Sequence, residues 1–471
     1  MKNIIFVNPP LNLSERYGVL GGVLGELQPY NLCSLAAATK MAGFETTIID
    51  APALKLSIQQ TAAQIILSNP DYIGITATTC SITNAHLLAT EIKKQLPQII
   101  IIVGGVHISA LPQETLKAFK NFDIGVIGEG EITIVNLLKT LKEDTSLDQV
   151  NGIIFKKNNS LYVTPAQSLI EDLDMLPFPS WNLLSDFNLY HPNLSSLHRL
   201  PIASLVTSRG CTQKCTFCDK SVFGNRVRTH SPKYIIKMIK ELKNTYSIKE
   251  VIFKDHDFAF SEERILKICH QLKESGLALS WSCMLRADKV NKNILQAMKE
   301  SGCWQIGLGI ESGSPQILKD LIKNLNPEKI HNNINLIKNF NFNLIGYFIL
   351  GTPTETRETI TETRNFIRKS RLDSIKLNFF TAYPGSPIYQ NLKIAKNLTE
   401  TWPYLNSSRP TFIPENLTEQ ELWHSSKKIL KEFYLRLPTL LSYGKRALNL
   451  KLLYKFFIGM LTLIRYIFKK N

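Results

Sequence analysis

Three cysteines, Cys211, Cys215 and Cys218, stand in the segment "SRGCTQKCTFCDK", directly after the apolar run "IASLVT". Thiolates ligate iron and zinc, and a closed zinc site takes four protein ligands. Three thiolates instead hold three irons of a [4Fe–4S] cluster and leave the fourth iron open to a non-protein ligand. The missing cysteine is then the reactive position. Two other readings remain: a structural zinc with a distant fourth ligand, and three cysteines with no shared role. Cys33, Cys80, Cys269, Cys283 and Cys303 are isolated in apolar surroundings, the pattern of a reduced compartment rather than of a disulfide framework.

Further polar residues end other apolar runs. "FKDHDF" carries Asp255 and Asp257, which would also serve as a helix N-cap before "SEERILKICHQL". "MLRAD" carries Arg286, whose forked donors suit a carboxylate or a structural ion pair. "GLGIESGS" carries Glu311 and Ser312, and "FILGTP" and "YPGSPIY" end in Gly-Pro turns.

What must position these groups is a pair of alternating strand and helix series. From "NIIFVNPP" to "FDIGVIGEGE" short apolar strands alternate with helical spacing, which implies an α/β, doubly wound, Rossmann-like sheet that binds ligands at the carboxyl ends of its strands. The loops to watch are Asn8-Pro9-Pro10, Thr76 to Thr79, Gly104-Gly105-Val106-His107 and Gly128-Glu129-Gly130. A plausible hairpin, "NGIIFKKNNSLYVTP", and the proline-bearing "DMLPFPSWNLL" read as a linker. Six further βα units then suggest a partial (β/α)6 barrel whose chemistry belongs at the strand carboxyl ends. The expected division is 1–145 for the first domain, 146–195 for hairpin and linker, 196–395 for the barrel and 396–471 for a helical extension; 471 residues allow two or three domains.

The loop Cys211, Cys215, Phe217, Cys218 resembles that of the radical S-adenosylmethionine (SAM) superfamily. The resemblance implies that SAM chelates the open iron and is cleaved to methionine and a 5′-deoxyadenosyl radical, with Phe217 against the adenine. It implies Asp255 at the SAM amine, Arg286 at its carboxylate, and Glu311 and Ser312 at its ribose. With the first domain, through "NPP", "PYNLCSLAAATKMAGFETTIIDA", "GGVHIS" and "IGEGE", nearly the whole chain resembles the cobalamin-binding radical SAM branch. That branch includes the anaerobic Mg-protoporphyrin monomethyl ester cyclase, hopanoid-processing enzymes and methyltransferases. Gly104 and Gly105 would then let the cobalamin tail approach the backbone, and Thr76, Thr78 and Thr79 would hydrogen-bond it. One departure matters: many cobalamin domains carry Asp-x-His-x-x-Gly after the first strand, and here that loop is Asn8-Pro9-Pro10. His107 is expected to be a loop histidine, so cobalamin would sit without a histidine beneath cobalt; a vestigial domain that binds no cobalamin is the alternative. C-methylation is the expected chemistry, with oxidative cyclisation, rearrangement or a non-catalytic module as alternatives.

The formal net charge is +16. Half of it lies after Leu435, where "KLLYKFFIGMLTLIRYIFKK" reads as a basic amphipathic helix: Lys451, Lys455, Thr462, Arg465 and Lys469 share one face at ~100° per residue. Its longest apolar stretch is too short to span a bilayer, so the expectation is an interfacial helix on an anionic surface, or a helix docked on the protein itself. The aromatics sit among Leu and Ile rather than as stacking platforms, which argues against nucleic acid. The N-terminal apolar stretch is too short for a signal peptide, so a cytoplasmic enzyme is expected, peripheral on the membrane if the tail binds lipid. Its substrate would be lipid-like or a tetrapyrrole, and the resemblance implies an external electron donor such as flavodoxin or ferredoxin.

Overall fold

The computed structural model describes residues 2–12, 17, 21, 24–395, 402, 404–441, 457–459, 461, 462 and 464–466. Runs such as "IIFVN" and "IIIVG" have no polar face, so their strands must be covered on both sides, as in parallel sheets. They form β1 (Asn3–Asn8), β2 (Glu45–Asp50), β3 (Tyr72–Thr76), β4 (Ile100–Gly104) and β5 (Ile124–Val126), all parallel, in the order β2-β1-β3-β4-β5. Helices α1 (Tyr30–Met41), α2 (Ile58–Leu67), α3 (Ile82–Gln95) and α4 (Gly130–Glu143) connect them. Ser57 and Gln60 form a capping box that starts α2. The strand order reverses between β1 and β3, where such sheets open a crevice at their carboxyl edge. The hairpin β6 (Ile153–Lys157) and β7 (Ser160–Val163) pairs antiparallel with β5. The expected hairpin is therefore present, and it forms the edge of the first sheet.

The second sheet contains β8 (Ile202–Leu205), β11 (Glu250–Phe253), β12 (Ser280–Arg286), β13 (Cys303–Glu311), β14 (Asn343–Leu350) and β15 (Ser374–Phe379), parallel and in sequence order. A two-residue pairing of β9 (Ser208–Arg209) with β10 (Arg228–Thr229) brackets the cysteine loop. Outward residues such as Val251, Phe253, Cys283, Leu308 and Ile375 join one core with Ile239 of α5 (Pro232–Tyr246), Ile268 of α6 (Glu262–Glu274) and Leu295 of α7 (Lys292–Glu300). Because side chains alternate along a strand, the neighbours of these residues face the inside of the barrel. The sheets share a core as well: Ile75, Ala77 and Ile108 of the first domain pack with Phe380, Tyr389 and Trp402 from beyond β15.

After the barrel, α8 (Glu419–Tyr434) packs on its outside. In the tail, residues 457–459, 461, 462 and 464–466 are helical. Tyr466 meets Trp423 of α8 edge-on at 6.2 Å and is hydrogen-bonded with Ser426. Phe457, Leu461 and Ile464 are exposed. Lys451, Lys455 and Lys469 lie outside the described residues. No helix among the described residues is long and apolar enough to cross a membrane.

Candidate active site

The cysteine loop leaves β8 under tight constraint. Gly210 has φ +86°, and a Cβ there would sit 2.0 Å from the Arg226 carbonyl oxygen, so only glycine fits. Beneath it, Asp255 accepts from Thr207 N and Oγ1, each at 2.5 Å, and from Ser208 N at 2.8 Å. Thr207 Oγ1 also accepts from Arg264 Nη2 at 2.7 Å. Asp255 is 2% exposed, and burial raises its pKa against the pull of Arg264 and Thr207. Its carboxylate is committed to the loop, so the expected contact with the SAM amine gives way to a positioning role. Asp257, also buried, accepts from Ala259 N.

On the other side, Arg209 joins Glu131 at 2.6 Å and Glu129 at 3.1 Å, while Arg228 joins Glu129 at 2.8 Å. All four side chains are under 9% exposed. Burial works to raise Glu131, but Arg209 outweighs it and holds the carboxyl below its ordinary range. The "GEGE" loop at the carboxyl edge of the first sheet thus clasps the strand that starts the cysteine loop. Neither arginine was singled out in the sequence, and pairings across 78 to 99 residues leave no local signal.

Cys215 is buried, Cys211 and Cys218 are half-buried, and all are free thiols. Burial, then the nearby Cys215 and Cys211, push the Cys218 thiol up to about 11. The trio therefore lies within electrostatic reach of itself. Yet no three His, Cys, Asp or Glu side chains among the described residues converge on a single ion.

Opposite the loop, Arg286 at the end of β12 donates to Asp288 Oδ1 at 3.0 Å and to the Lys323 carbonyl at 2.9 Å. Its Nη1 is buried with no partner, an unused donor pointing to an anionic ligand. Glu311 has φ +67° at a register shift of β13 and pairs with Lys323 at 2.6 Å. Burial works to lower Lys323, but Glu311 raises it. Lys323 also stands 6.0 Å from the centre of the Phe217 ring. Cysteines, Phe217, Arg286 and Glu311 are thus brought together. Ser312 is not available: its hydroxyl bonds Thr363 Oγ1 at 2.8 Å and accepts from Ser314 N at 3.1 Å. Lys323 and Asp288 were missed; in sequence they look like ordinary surface charges.

At the first sheet the picture is sparser. A Cβ on Gly104 would meet nothing nearer than Val126 at 4.0 Å, whereas Gly105, at φ +107°, presses on the Ala77 carbonyl. Of the pair only Gly104 has room for a side chain, as does Gly128 at the same edge, where a Cβ would meet nothing within 4 Å. Thr76 accepts from Asn31 at 3.1 Å and Thr78 is exposed beside Ser81. Thr79 instead turns inward to His107 Nδ1 at 3.2 Å. His107 is fully buried, lies 4.7 Å from the Trp402 ring, and burial lowers its pKa to about 4. His107 lies on a short helix, Val106–Ala110, where a loop histidine was expected, and its ring is turned into the core. A cavity of about 760 Å³ lies beside the ends of β1 and β2, lined by Pro10, Ala51, Lys55, Gln60 and His191. It touches none of the cysteines, so the chemistry is placed by the convergent side chains and not by that cavity.

The B12 binding domain family matches residues 17–138, and the radical SAM superfamily matches residues 205–367. An uncharacterized methyltransferase of Pyrococcus horikoshii is 32% identical over 436 residues, 92% of each chain. The chain belongs to the cobalamin-binding radical SAM family. The [4Fe–4S] cluster, SAM and cobalamin are the cofactors of such a protein, and the thiol trio, the unused Arg286 nitrogen and the cleared Gly104 edge fit them. Within the family, the chain is 26% identical to the anaerobic magnesium-protoporphyrin IX monomethyl ester cyclase of Cereibacter sphaeroides over 443 residues, 92% of this chain and 70% of that one. Its fold is like that of the radical SAM methyltransferase TsrM of Kitasatospora setae, solved with cobalamin and [4Fe–4S] cluster bound, at TM-score 0.68 and 16% identity, covering 84% of this chain and 78% of that one.

Proposed function

We propose that the protein transfers a methyl group to an unactivated carbon of a hydrophobic small molecule. The observation that carries this reading is the three-cysteine loop clasped by Glu129 and Glu131 to the carboxyl edge of a B12-type sheet, in a chain similar over 92% of its length to a methyltransferase. When bound, the cluster and SAM supply the 5′-deoxyadenosyl radical, and cobalamin supplies the methyl carrier. Cys211, Cys215 and Cys218 hold the cluster. Arg286 Nη1 holds the SAM carboxylate, Phe217 covers the adenine, and Glu311, fixed by Lys323, accepts from the ribose. Asp255 and Ser312 hold the loops that present these groups. Gly104, Thr76 and Thr78 face the cobalamin tail, and Gly105 and Thr79 shape that edge.

Oxidative cyclisation or rearrangement of a tetrapyrrole or hopanoid type is the second reading, favoured by the likeness to the cyclase. Small molecules co-purified with the protein, incubated with methyl-labelled SAM and reductant, decide between them. Label in a product supports methylation; a changed product without label supports the second reading. No turnover with a reduced cluster present would leave a cofactor-binding module. A flavodoxin or ferredoxin is the expected electron donor. Phe457, Leu461 and Ile464 form an exposed stripe at helical spacing, and we place it on an anionic membrane surface, so that a cytoplasmic enzyme works beside a lipid-like substrate.

A further inference from the structure

The lumen of the barrel contains two lysines that the reaction outlined above does not use. Lys254 follows β11, whose Val251 and Phe253 face the helices, so it lies on the inner face. Lys376 lies in β15 between Ile375 and Leu377, both packed on the outer core, and is likewise turned inward. Inner and outer faces differ in access to water. Much of the inner face is closed, with Ser204, Ser282, Gln305 and Ile345 buried, but Met284, Gly309, Tyr347, Lys376 and Asn378 are half-buried and Lys254 is exposed. The part of the lumen beside Lys254 and Lys376 is therefore open to water. Gly307 and Gly309 clear one wall of it: a Cβ on Gly307 would meet the Tyr347 ring at 2.9 Å.

Neither lysine has a carboxylate partner among the described residues. The Lys254 ammonium makes no hydrogen bond or ion pair there, and Lys376 has only the Tyr347 ring, 5.3 Å from its Nζ. The contrast with Lys323, held by Glu311 in the same barrel, is direct. β11 and β15 are four places apart in the strand order, yet the charge of Lys254 acts on Lys376. Both lysines thus belong to the inner face of one curled sheet. Burial, then Lys254, lowers Lys376 to about 8. Without a counter-charge of their own, both ammonium groups are left free to meet an anionic ligand in that space.

We propose that Lys254 and Lys376 are the specificity-determining pair of the substrate site, which takes a molecule whose carboxylate or phosphate enters the barrel lumen between the two ammonium groups. This rests on the reading of the lumen as the substrate chamber of a radical SAM enzyme. It adds an acidic head to the hydrophobic body expected of the substrate.

The test is equilibrium dialysis of the reconstituted holoenzyme against labelled inorganic phosphate and, separately, labelled succinate, at low salt. Wild-type protein, Lys254→Met, Lys376→Met, the double variant and Lys376→Arg are compared. The expected result is saturable retention of one or both anions, weakened about tenfold by each Met change, as for loss of one charge-assisted hydrogen bond, and kept within about threefold by Lys376→Arg. Phosphate alone would identify a phosphate-bearing substrate, succinate alone a carboxylate; either supports the proposal. Equal retention by wild type and double variant, or none by wild type, would overturn it. So would loss of SAM binding in the Met variants along with the anion, which would assign the lysines to SAM. Anion retention is read without reductant or turnover, so it can fail while SAM cleavage stands, and the reverse.

Discussion

The two cofactor regions are built on opposite principles. Around the cysteine loop a buried network of side chains is committed to holding the backbone: Asp255 to Thr207 and Ser208, Arg209 to Glu129 and Glu131, Ser312 to Thr363. At the edge of the first sheet a bare Gly104 faces open space and Thr78 is exposed. A cluster ligated through three sulfurs needs those sulfurs held at fixed separations before it arrives. A large organic cofactor making many weak contacts needs a cleared surface. The difference teaches that rigidity is concentrated where coordination geometry is strict.

The comparison breaks most visibly if the clasp is cut. Arg209→Met leaves Glu131 buried with only neutral partners, Ser34 and its own backbone amide, and removing one member of a buried ion pair costs ~3–5 kcal/mol. Denaturant unfolding should show that loss, and cluster content after reconstitution should fall with it. A change within measurement error would mean the clasp is dispensable.

Glu355 at the turn after β14 gives an effect of opposite sign. Its Oε2 accepts from the Gly351 and Thr352 amides, Oε1 has no partner, and burial raises the carboxyl to about 7. Below its ordinary value near 4.5 it is neutral in both folded and unfolded chains. Between there and pH 7 the unfolded chain releases the proton and the folded chain keeps it, so stability falls as pH rises, by up to ~3 kcal/mol above pH 7. Glu355→Gln removes this dependence. Parallel unfolding curves for variant and wild type from pH 5 to 8.5 would contradict it.

Arg286→Met should weaken SAM binding by ~10- to 100-fold, the worth of a charge-assisted bond to a carboxylate. Arg286→Lys restores little, since the fork that also holds Asp288 is lost. Gly104→Leu is the mildest change to the fold, within ~0.5 kcal/mol, because the site is open. It should nevertheless abolish cobalamin retention, read from the visible spectrum after desalting. Normal retention would move the cobalamin site away from Gly104.

The alternation of apolar strands and helices was legible because buried parallel strands have no polar face, and "CTQKCTFC" was legible because cluster chemistry fixes its spacing. Which way a carboxylate turns was not. Asp255 reads as a ligand in "FKDHDF", yet the turn before the cysteines has amides to satisfy and takes it. Lys254 and Lys376 resemble surface lysines, and only the curl of the sheet puts them inside. In the tail, the meeting of Tyr466 with Trp423 left no signal in the sequence.

The central claim is that Cys211, Cys215 and Cys218 hold a cluster that opens one iron to SAM. Anaerobically reconstituted protein, reduced and given SAM, should release 5′-deoxyadenosine measurable by mass spectrometry. Replacing the three cysteines by alanine should abolish both the cluster absorbance and the product. Undiminished 5′-deoxyadenosine from the alanine variant, or none from wild type containing a reduced cluster, would contradict the account.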